Sequence, residues 1–386
     1  MSLLKQVNFM IMMKVAFIIL PFLLPVLTIP GDTARMPAHN QTIFSISNDG
    51  PYVLYRNTNI LIKQVEDSNG FKTVKADSVS LSQKELLELK VKTDEPGKTF
   101  TVKLKRRLEN EKSEFTGPEK MFVLSDIEGN FRAFRRLLQG NGVIDSDFNW
   151  IFGKGHLVLT GDFFDRGAQV TEVLWLIYSL EEKAKAAGGY VHFVLGNHEI
   201  MNMSGDLRYV HPKYMENARL MNEDYMKLYN DSTELGKWLR TKNVAEKIGD
   251  ILFVHGGISA PVNQAEIPVA RINKLARPYY ADSTYQYPDV KVSLLYSDFG
   301  PFWYRGYYTG NPIAPITQID STLSFFGVKH IATGHTMIAD TISMRYNGKL
   351  FNTDVHHLSG KSEGLLIEGN KFYRTDAVGQ KFLLSE

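Results

Sequence analysis

The chain contains no cysteine among its 386 residues. That absence excludes disulfides, thiolate metal sites, a cysteine nucleophile and a lipid-modified N-terminal cysteine, so any metal ligands must be oxygen or imidazole. An excess of charge is lacking too: 44 Lys and Arg stand against 42 Asp and Glu, for a net charge of +2. No long-range field draws nucleic acid, and the dense basic cluster Lys103-Leu-Lys-Arg-Arg107, followed by acidic residues, reads as a solvated strand end. With 44% hydrophobic and 22% charged residues, the composition predicts one large folded core plus an appendage.

A membrane-length apolar run is also missing. Lys14 precedes Val15-Ala-Phe-Ile-Ile-Leu20, and the apolar character continues through Pro21 and Pro25 to Ile29. The run is too short and Pro-broken to span comfortably. Residues 1–31 read as a signal peptide, which predicts an exported protein, periplasmic or secreted, with an uncleaved N-terminal anchor as the alternative. Residues 32–116 form a small β-rich N-terminal region with runs such as Pro51-Tyr-Val-Leu-Tyr55 and Lys98-Thr-Phe-Thr-Val-Lys-Leu104 and a turn at Glu95-Pro-Gly97. The main domain is expected over 117–386, with a helical cap inserted at 202–247, where Met, Tyr, Leu, Glu and Lys recur at helical period.

Five blocks carry the chemistry: SDIEGN from Ser125, GDFFDRG from Gly161, GNHE from Gly196, VHGG from Val254 and TGHT from Thr333. Each follows an apolar run, namely Met121–Leu124, Leu157–Leu159, His192–Leu195, Ile251–Val254 and Lys329–Ala332, so successive strands deliver Asp, Asn and His from their carboxyl ends. Parallel α/β units of 30 or more residues explain the intervals between Asp126, Asp162 and Asn197. Two divalent ions about 3.5–4 Å apart can hold both the attacking water and the phosphate oxygens, provided a carboxylate bridges them. Asp162 is the bridge candidate, and Asp126, Asn197, His255 and His335 supply the remaining ligands. A single buried Asp or His satisfies a core hydrogen bond as readily as it binds a metal; five in order at strand ends do not share that explanation. His198 is placed as general acid with Asp165 as its partner, although Asp165 could equally cap the following helix. Arg166 and Arg305, the latter in Gly300-Pro-Phe-Trp-Tyr-Arg-Gly-Tyr307, are fork donors suited to phosphate oxygens, the alternative for that run being a packed aromatic loop.

At these blocks the chain resembles the calcineurin-like metallophosphoesterases, and GDFFDRG with GNHE resembles their phosphoprotein phosphatase branch. GNHEIMNMSGDLRYV, GPFWYRGY and FFGVKHIATGHT further resemble the bacterial-type Shewanella-like phosphatases, and the similarity spans roughly Phe122 to Asp354. The resemblance implies an α/β fold built on a β-sandwich flanked by helices. It implies direct attack on phosphorus by a metal-bridging hydroxide without a phosphoenzyme, metal ligands at Asp126, Asp162, Asn197, His255 and His335, the acid pair His198 and Asp165, and Arg166 with Arg305 on phosphate. Where the family has Asp-x-His, this chain has Asp126-Ile-Glu128. Glu128 is expected either to coordinate as a longer carboxylate or to point away and leave the first ion one ligand short. The expected cofactors are two divalent ions, Mn²⁺ first, with Mg²⁺, Fe and Zn²⁺ as alternatives. His356 and His357 are candidates for supporting the ligands. His156, His192, His211 and His330 read as packing or surface residues.

The expected activity is hydrolysis of phosphate monoesters, with a phosphorylated protein or a small phosphate ester as substrate and partner, no nucleic acid, and membrane contact only through an uncleaved N-terminal segment. The alternatives are a dinucleoside polyphosphate hydrolase and a binding protein with an impaired metal centre.

Overall fold

In the computed structural model, residues 48–68 and 70–385 are described, and the segment read as a signal peptide lies outside them. The strand Lys120–Leu124 shows how sequence becomes fold. All four residues of Met121–Leu124 are buried, yet they serve two cores by simple alternation. Met121 and Val123 pack in one cluster with Val158, Ile251, Phe253, Phe351 and Ile367, whereas Phe122 and Leu124 join Phe131, Phe134, Trp175 and Leu176 in the other. A strand buried on both faces must be apolar throughout, which is why the period of two is hidden in a continuous run.

The first cluster is the inside of a β-sandwich. One six-stranded sheet runs in the order Lys381–Ser385, Lys371–Asp376, Glu363–Glu368, Lys120–Leu124, His156–Leu159, Tyr190–Phe193. Its last three members are parallel, and its first four pair antiparallel. The second runs Ser343–Arg345, Leu350–Asn352, His330–Thr333, Ile251–Val254, Ala245–Ile248, Glu114–Phe115, with the Ile251, His330 and Leu350 strands parallel. The expected Ile251–Val254 strand has those bounds. The expected His192–Leu195 strand instead covers Tyr190–Phe193, because Val194 still donates to Leu159 of the first sheet while Leu195 donates to Asn243 beside the second.

Helices cover the outside of the first sheet. Phe131–Gly140 buries Phe131, Phe134, Leu137 and Leu138 on one face, and Asn130 caps it by accepting from the Ala133 N–H at 3.1 Å. Val170–Ala186 is buried nearly all round, because the β-rich N-terminal region lies on its other side. There Asp49–Arg56, Asn59–Ser68 and Phe71–Ser80 form an antiparallel sheet, and Glu88–Lys92 pairs with Thr99–Lys103. Tyr52, Leu54, Val91, Phe100 and Val102 belong to the same buried cluster as the helix. Trp175 Nε1 donates to the Pro51 carbonyl at 2.8 Å, so the region consists of strands laid on the main domain.

Residues 202–247 include the helices Pro212–Leu220 and Glu234–Leu239 and finish in the sheet strand Ala245–Ile248. The segment covers the N-terminal sheet, with Tyr55 N–H donating to the Ser232 carbonyl. Among the described residues, no helix is long and apolar enough to cross a membrane.

Lys242 ties the linker to this helical layer. Its buried ammonium contacts Glu111 at 2.9 Å and Glu181 at 2.6 Å, and Glu181 also accepts from Lys105 and Trp238 Nε1. Burial alone would raise the Glu111 pKa, but Lys242 and the Tyr190 hydroxyl outweigh it and hold the carboxyl down to about 2. A depressed carboxyl stabilises the fold above its unfolded pKa and loses that contribution as pH falls through the folded value. Lys242→Met, which leaves Glu111 without its ion-pair partner and Glu181 with Lys105 alone, is therefore expected to cost about 3–5 kcal/mol at neutral pH. It should also flatten the stability loss between about pH 4.5 and 2. Urea titrations across that range check both, and an unchanged acid limb would contradict the assignment.

Candidate metal centre and active site

Several of the candidate site residues sit in tight turns beyond strand ends, and the backbone records the cost. Asp126 (φ 52°), Glu128 (49°), Asp162 (62°), Asp165 (69°), Arg166 (54°) and His335 (67°) all occupy the left-handed region that non-glycine residues normally avoid. Two glycines make the approach feasible. A Cβ on Gly196 would lie 2.2 Å from Asp162 Oδ1, and one on Gly334 would lie 2.3 Å from Asp126 Oδ2.

Glu199 holds two of these turns together. Its buried carboxylate accepts from the N–H groups of Gly196 (2.7 Å), Asp162 (2.9 Å) and Phe163 (2.7 Å), joining the GDFFDRG loop to the start of the helix Asn197–Ser204. Nothing in the metal-ligand pattern points to it; the signal is an acidic residue at the third helical position, where exposed N–H groups need an acceptor.

Asp162, His255 and His335 offer ligand atoms within 4.8 Å of one another. His255 Nδ1 faces the Thr160 carbonyl at 2.7 Å, which makes that nitrogen the donor and leaves Nε2 to a ligand. Nε2 is 3.1 Å from Asp162 Oδ2 and 3.0 Å from Asn197 Oδ1, so three of the expected ligands converge on one point. His335 Nδ1 is buried without a hydrogen-bond partner, and the His335 N–H donates to both oxygens of Asp126 at 3.2 and 3.1 Å. Burial pushes the Asp126 carboxyl well above the usual range, and Asp354 and Asp162 add to the shift. Burial would raise Asp162 as well, but His255 and His198 hold it well below the usual range. His255 rises to about 9, with burial opposed and outweighed by Asp162. A proton here stands where a cation fits: a cluster of oxygen and imidazole ligands, with excess negative charge and an orphaned imidazole nitrogen, matches a pair of divalent ions.

The acid pair lies beside this cluster. His198 Nδ1 donates to Asp165 Oδ2 at 2.5 Å, and its Nε2 lies 3.8 Å from Asp162 Oδ2. Burial would lower the His198 pKa, but Asp162 and Asp165 outweigh it and raise it. Asp165 does not cap the next helix, which begins at Val170 after an N-cap at Gln169. Its second oxygen instead accepts from Asn202 Nδ2 at 2.8 Å, and Asn202 Oδ1 accepts from the Tyr225 hydroxyl at 2.7 Å. Asn202 and Tyr225 escaped the sequence reading because their period is that of ordinary helix packing.

Arg166 and Arg305 share one cavity of about 450 Å³ with Asp126, Glu128, Asp162, His198, His335 and Asp354. Arg305 donates to the His335 carbonyl and to Thr336 Oγ1 at 3.3 Å. Arg166 packs over the Tyr209 ring at 5.4 Å and forms an ion pair with Glu128. Glu128 thus lines the cavity with its carboxylate on Arg166, outside the cluster of Asp162, His255 and His335. His357 Nε2 contacts the Ser125 carbonyl at 3.1 Å, bracing the turn that carries Asp126. His156, His192 and Glu246 form a separate chain of contacts at 2.9 and 2.7 Å, while His211 caps Pro212–Leu220 and His330 contacts the Gly348 carbonyl.

A family model described as calcineurin-like phosphoesterase matches residues 120–339, the stretch that carries all five candidate ligands. The chain belongs to that family. Family members use a dinuclear divalent metal centre, and this phosphoesterase is a metal-dependent phosphatase, a phosphoric monoester hydrolase. Shewanella-like protein phosphatase 2 of Arabidopsis thaliana is 26% identical over 307 residues, covering 65% of this chain and 74% of its own length. The solved cold-active protein-tyrosine phosphatase of a psychrophilic Shewanella superposes with a TM-score of 0.79 at 36% identity, covering 88% of this chain and 99% of that one. A symmetrical bis(5'-nucleosyl)-tetraphosphatase of Buchnera aphidicola is 32% identical over a shorter stretch, 39% of this chain and 48% of its own length.

Glu199→Ala removes the acceptor for three buried N–H groups of this phosphoesterase, each costing about 1–3 kcal/mol when left unpaired. A destabilisation of roughly 3 kcal/mol or more is expected by urea unfolding. Glu199→Gln, which keeps one acceptor oxygen, should lose less; equal stability of Glu199→Ala and the unaltered chain would refute the clamp.

Proposed function

We propose that this phosphatase acts on phosphorylated protein side chains, with tyrosine phosphate ahead of serine phosphate, and that Mn²⁺ is its working ion. The observation carrying the site reading is the opening of His198, Arg166 and Arg305 onto the same cavity as Asp162 and His335. The names of the Arabidopsis and Shewanella relatives support the protein substrate, and the Shewanella enzyme supports tyrosine. Met337 and Leu358, about half exposed, give the cavity an apolar edge on which a phenol ring can rest.

When bound, the two cations supply positive charge for the phosphoryl oxygens and activate water for in-line attack on phosphorus. Asp126, Asp162, Asn197, His255 and His335 are the residues that would hold them. Arg305, anchored on the His335 carbonyl and Thr336, keeps further guanidinium N–H donors for the phosphate. His198 holds its proton at Nε2 because Nδ1 is committed to Asp165. As the ester P–O bond breaks, that proton passes to the leaving oxygen, which departs as an alcohol or phenol. Asp165, held in turn by Asn202, fixes the orientation of the ring.

This assignment separates leaving groups. His198→Asn should lower kcat by about 10²–10⁴ for an alkyl phosphate and far less for p-nitrophenyl phosphate, whose leaving group needs no proton. Equal losses would count against the acid role. Arg305→Ala should chiefly raise KM, by one to two powers of ten for a contact worth about 1.5–3 kcal/mol. A competition assay with phosphotyrosine peptide, phosphoserine peptide and diadenosine tetraphosphate tests the substrate, and a preference for the last would overturn it. The same reading includes export directed by the segment from Lys14 to Ile29, which cell fractionation would check.

A further inference from the structure

Four carboxylates face the cavity, and three have partners. Asp162 contacts His255 and accepts from the His198 N–H at 2.9 Å, Asp126 accepts from the His335 N–H, and Glu128 is taken by Arg166. The fourth, Asp354, is 9% exposed and lines the same cavity. Its backbone N–H donates to Asn352, but its carboxylate has no hydrogen-bond or ion-pair partner among the described residues.

Its position is built. Thr353 Oγ1 donates to Ser125 Oγ at 2.9 Å, so the residues immediately before Asp354 and Asp126 touch across the two sheets. The Thr353 N–H is anchored on the Thr333 carbonyl at 2.7 Å, two residues before His335. Three strand ends thereby converge beside Asp126. A buried carboxylate without a hydrogen-bond donor is disfavoured, two other carboxylates in the same cavity make it worse, and the charges of His255, Arg305 and Arg166 offset only part of that. A divalent ion between Asp126 and Asp162 would remove that penalty, and the buried, unpartnered Nδ1 of His335 shows that the site is short of an electrophile.

We propose that Asp354 is the third carboxylate of the cation site on the Asp126 side, in the place that sequence spacing offers to Glu128. The inference rests on the dinuclear reading above. Glu128 then serves as a positioning residue for Arg166, and three carboxylates gather on the Asp126 side, the oxygen-rich surroundings that Mn²⁺ and Mg²⁺ prefer.

Chelator-stripped full-length protein, Asp354→Asn, Glu128→Gln and Asp162→Asn would be titrated with Mn²⁺ by calorimetry and melted with and without the ion. The unaltered chain should bind two ions. Asp354→Asn should lose one or weaken it roughly 10-fold or more, while Glu128→Gln keeps both. In chelator, Asp354→Asn should melt no lower than the unaltered chain, because it removes a repelled charge, and its Mn²⁺-induced rise in Tm should be smaller. Two ions bound with unchanged affinity by Asp354→Asn would overturn the proposal, as would a lower Tm in chelator with both ions retained, which marks a purely structural residue. Absence of Mn²⁺ binding by the unaltered chain would instead bring down the dinuclear reading itself, and this proposal with it.

Discussion

Like charges gathered out of water are the constraint on which this structure turns. Asp126, Asp162 and Asp354 are each buried beside the same cavity, and mutual repulsion would drive flexible loops apart. The fold answers with rigidity. Each strand below the site is gripped on both faces, by the inter-sheet core and by the helix layer, so its end has no slack. The turns above are shorter than a relaxed backbone allows, which is why left-handed residues collect there. Glu199 adds a further buried carboxylate, yet three N–H groups absorb its charge and convert it into the fastening between two ligand loops.

Support for the acid pair reaches far from the cavity. Behind His198 stand Asp165, Asn202 and Tyr225 in one hydrogen-bonded line, and Tyr225 packs edge-on against Tyr229, which meets Tyr52 in the same way. Tyr52 donates to Asp49, which also accepts from Thr171 at the start of the helix after GDFFDRG. The N-terminal strands are thus continuous, by buried polar contacts and aromatic edges, with the residues that orient the imidazole. The polar contacts of this network are in low-dielectric surroundings where each is strong, and the Tyr229 hydroxyl is the member left without a hydrogen-bond partner.

The convergence of the five blocks was legible because a strand end followed by Asp, Asn or His combines two independent signals, burial period and chemistry. Boundaries shifted where the chain leaves one sheet for the other, as at Val194 and Leu195, since a local pattern carries no sign of that crossing. The three C-terminal strands Glu363–Glu368, Lys371–Asp376 and Lys381–Ser385 complete a sheet without bearing a ligand, so no chemical landmark orders them in the sequence. Asp354 was hidden for a related reason. It follows a three-residue strand, Leu350–Asn352, too short to register as a period, and its significance comes only from the Thr353–Ser125 contact. Asp165 could be read two ways until the helix start at Val170 removed the capping role.

Glu128 shows why a ligand position cannot be interpreted without its neighbours. Replacing an imidazole by a carboxylate adds a negative charge, and the nearest strong cation is the partly exposed Arg166, whose backbone is turned back over the same loop. The Gly167 N–H donates to the Glu128 carbonyl, and the Glu128 N–H to the Asp162 carbonyl, so these two loops are fixed together whatever occupies the cavity. A carboxylate paired with a guanidinium is satisfied without a metal. Arg305, by contrast, has no carboxylate within ion-pair reach among the described residues and is anchored only by neutral oxygens. An incoming phosphate must therefore compete with Glu128 for one arginine but meets the other outside any ion pair. The departure at this position consequently bears first on how the two arginines divide the phosphate, and on the metals only through what Asp354 must then supply.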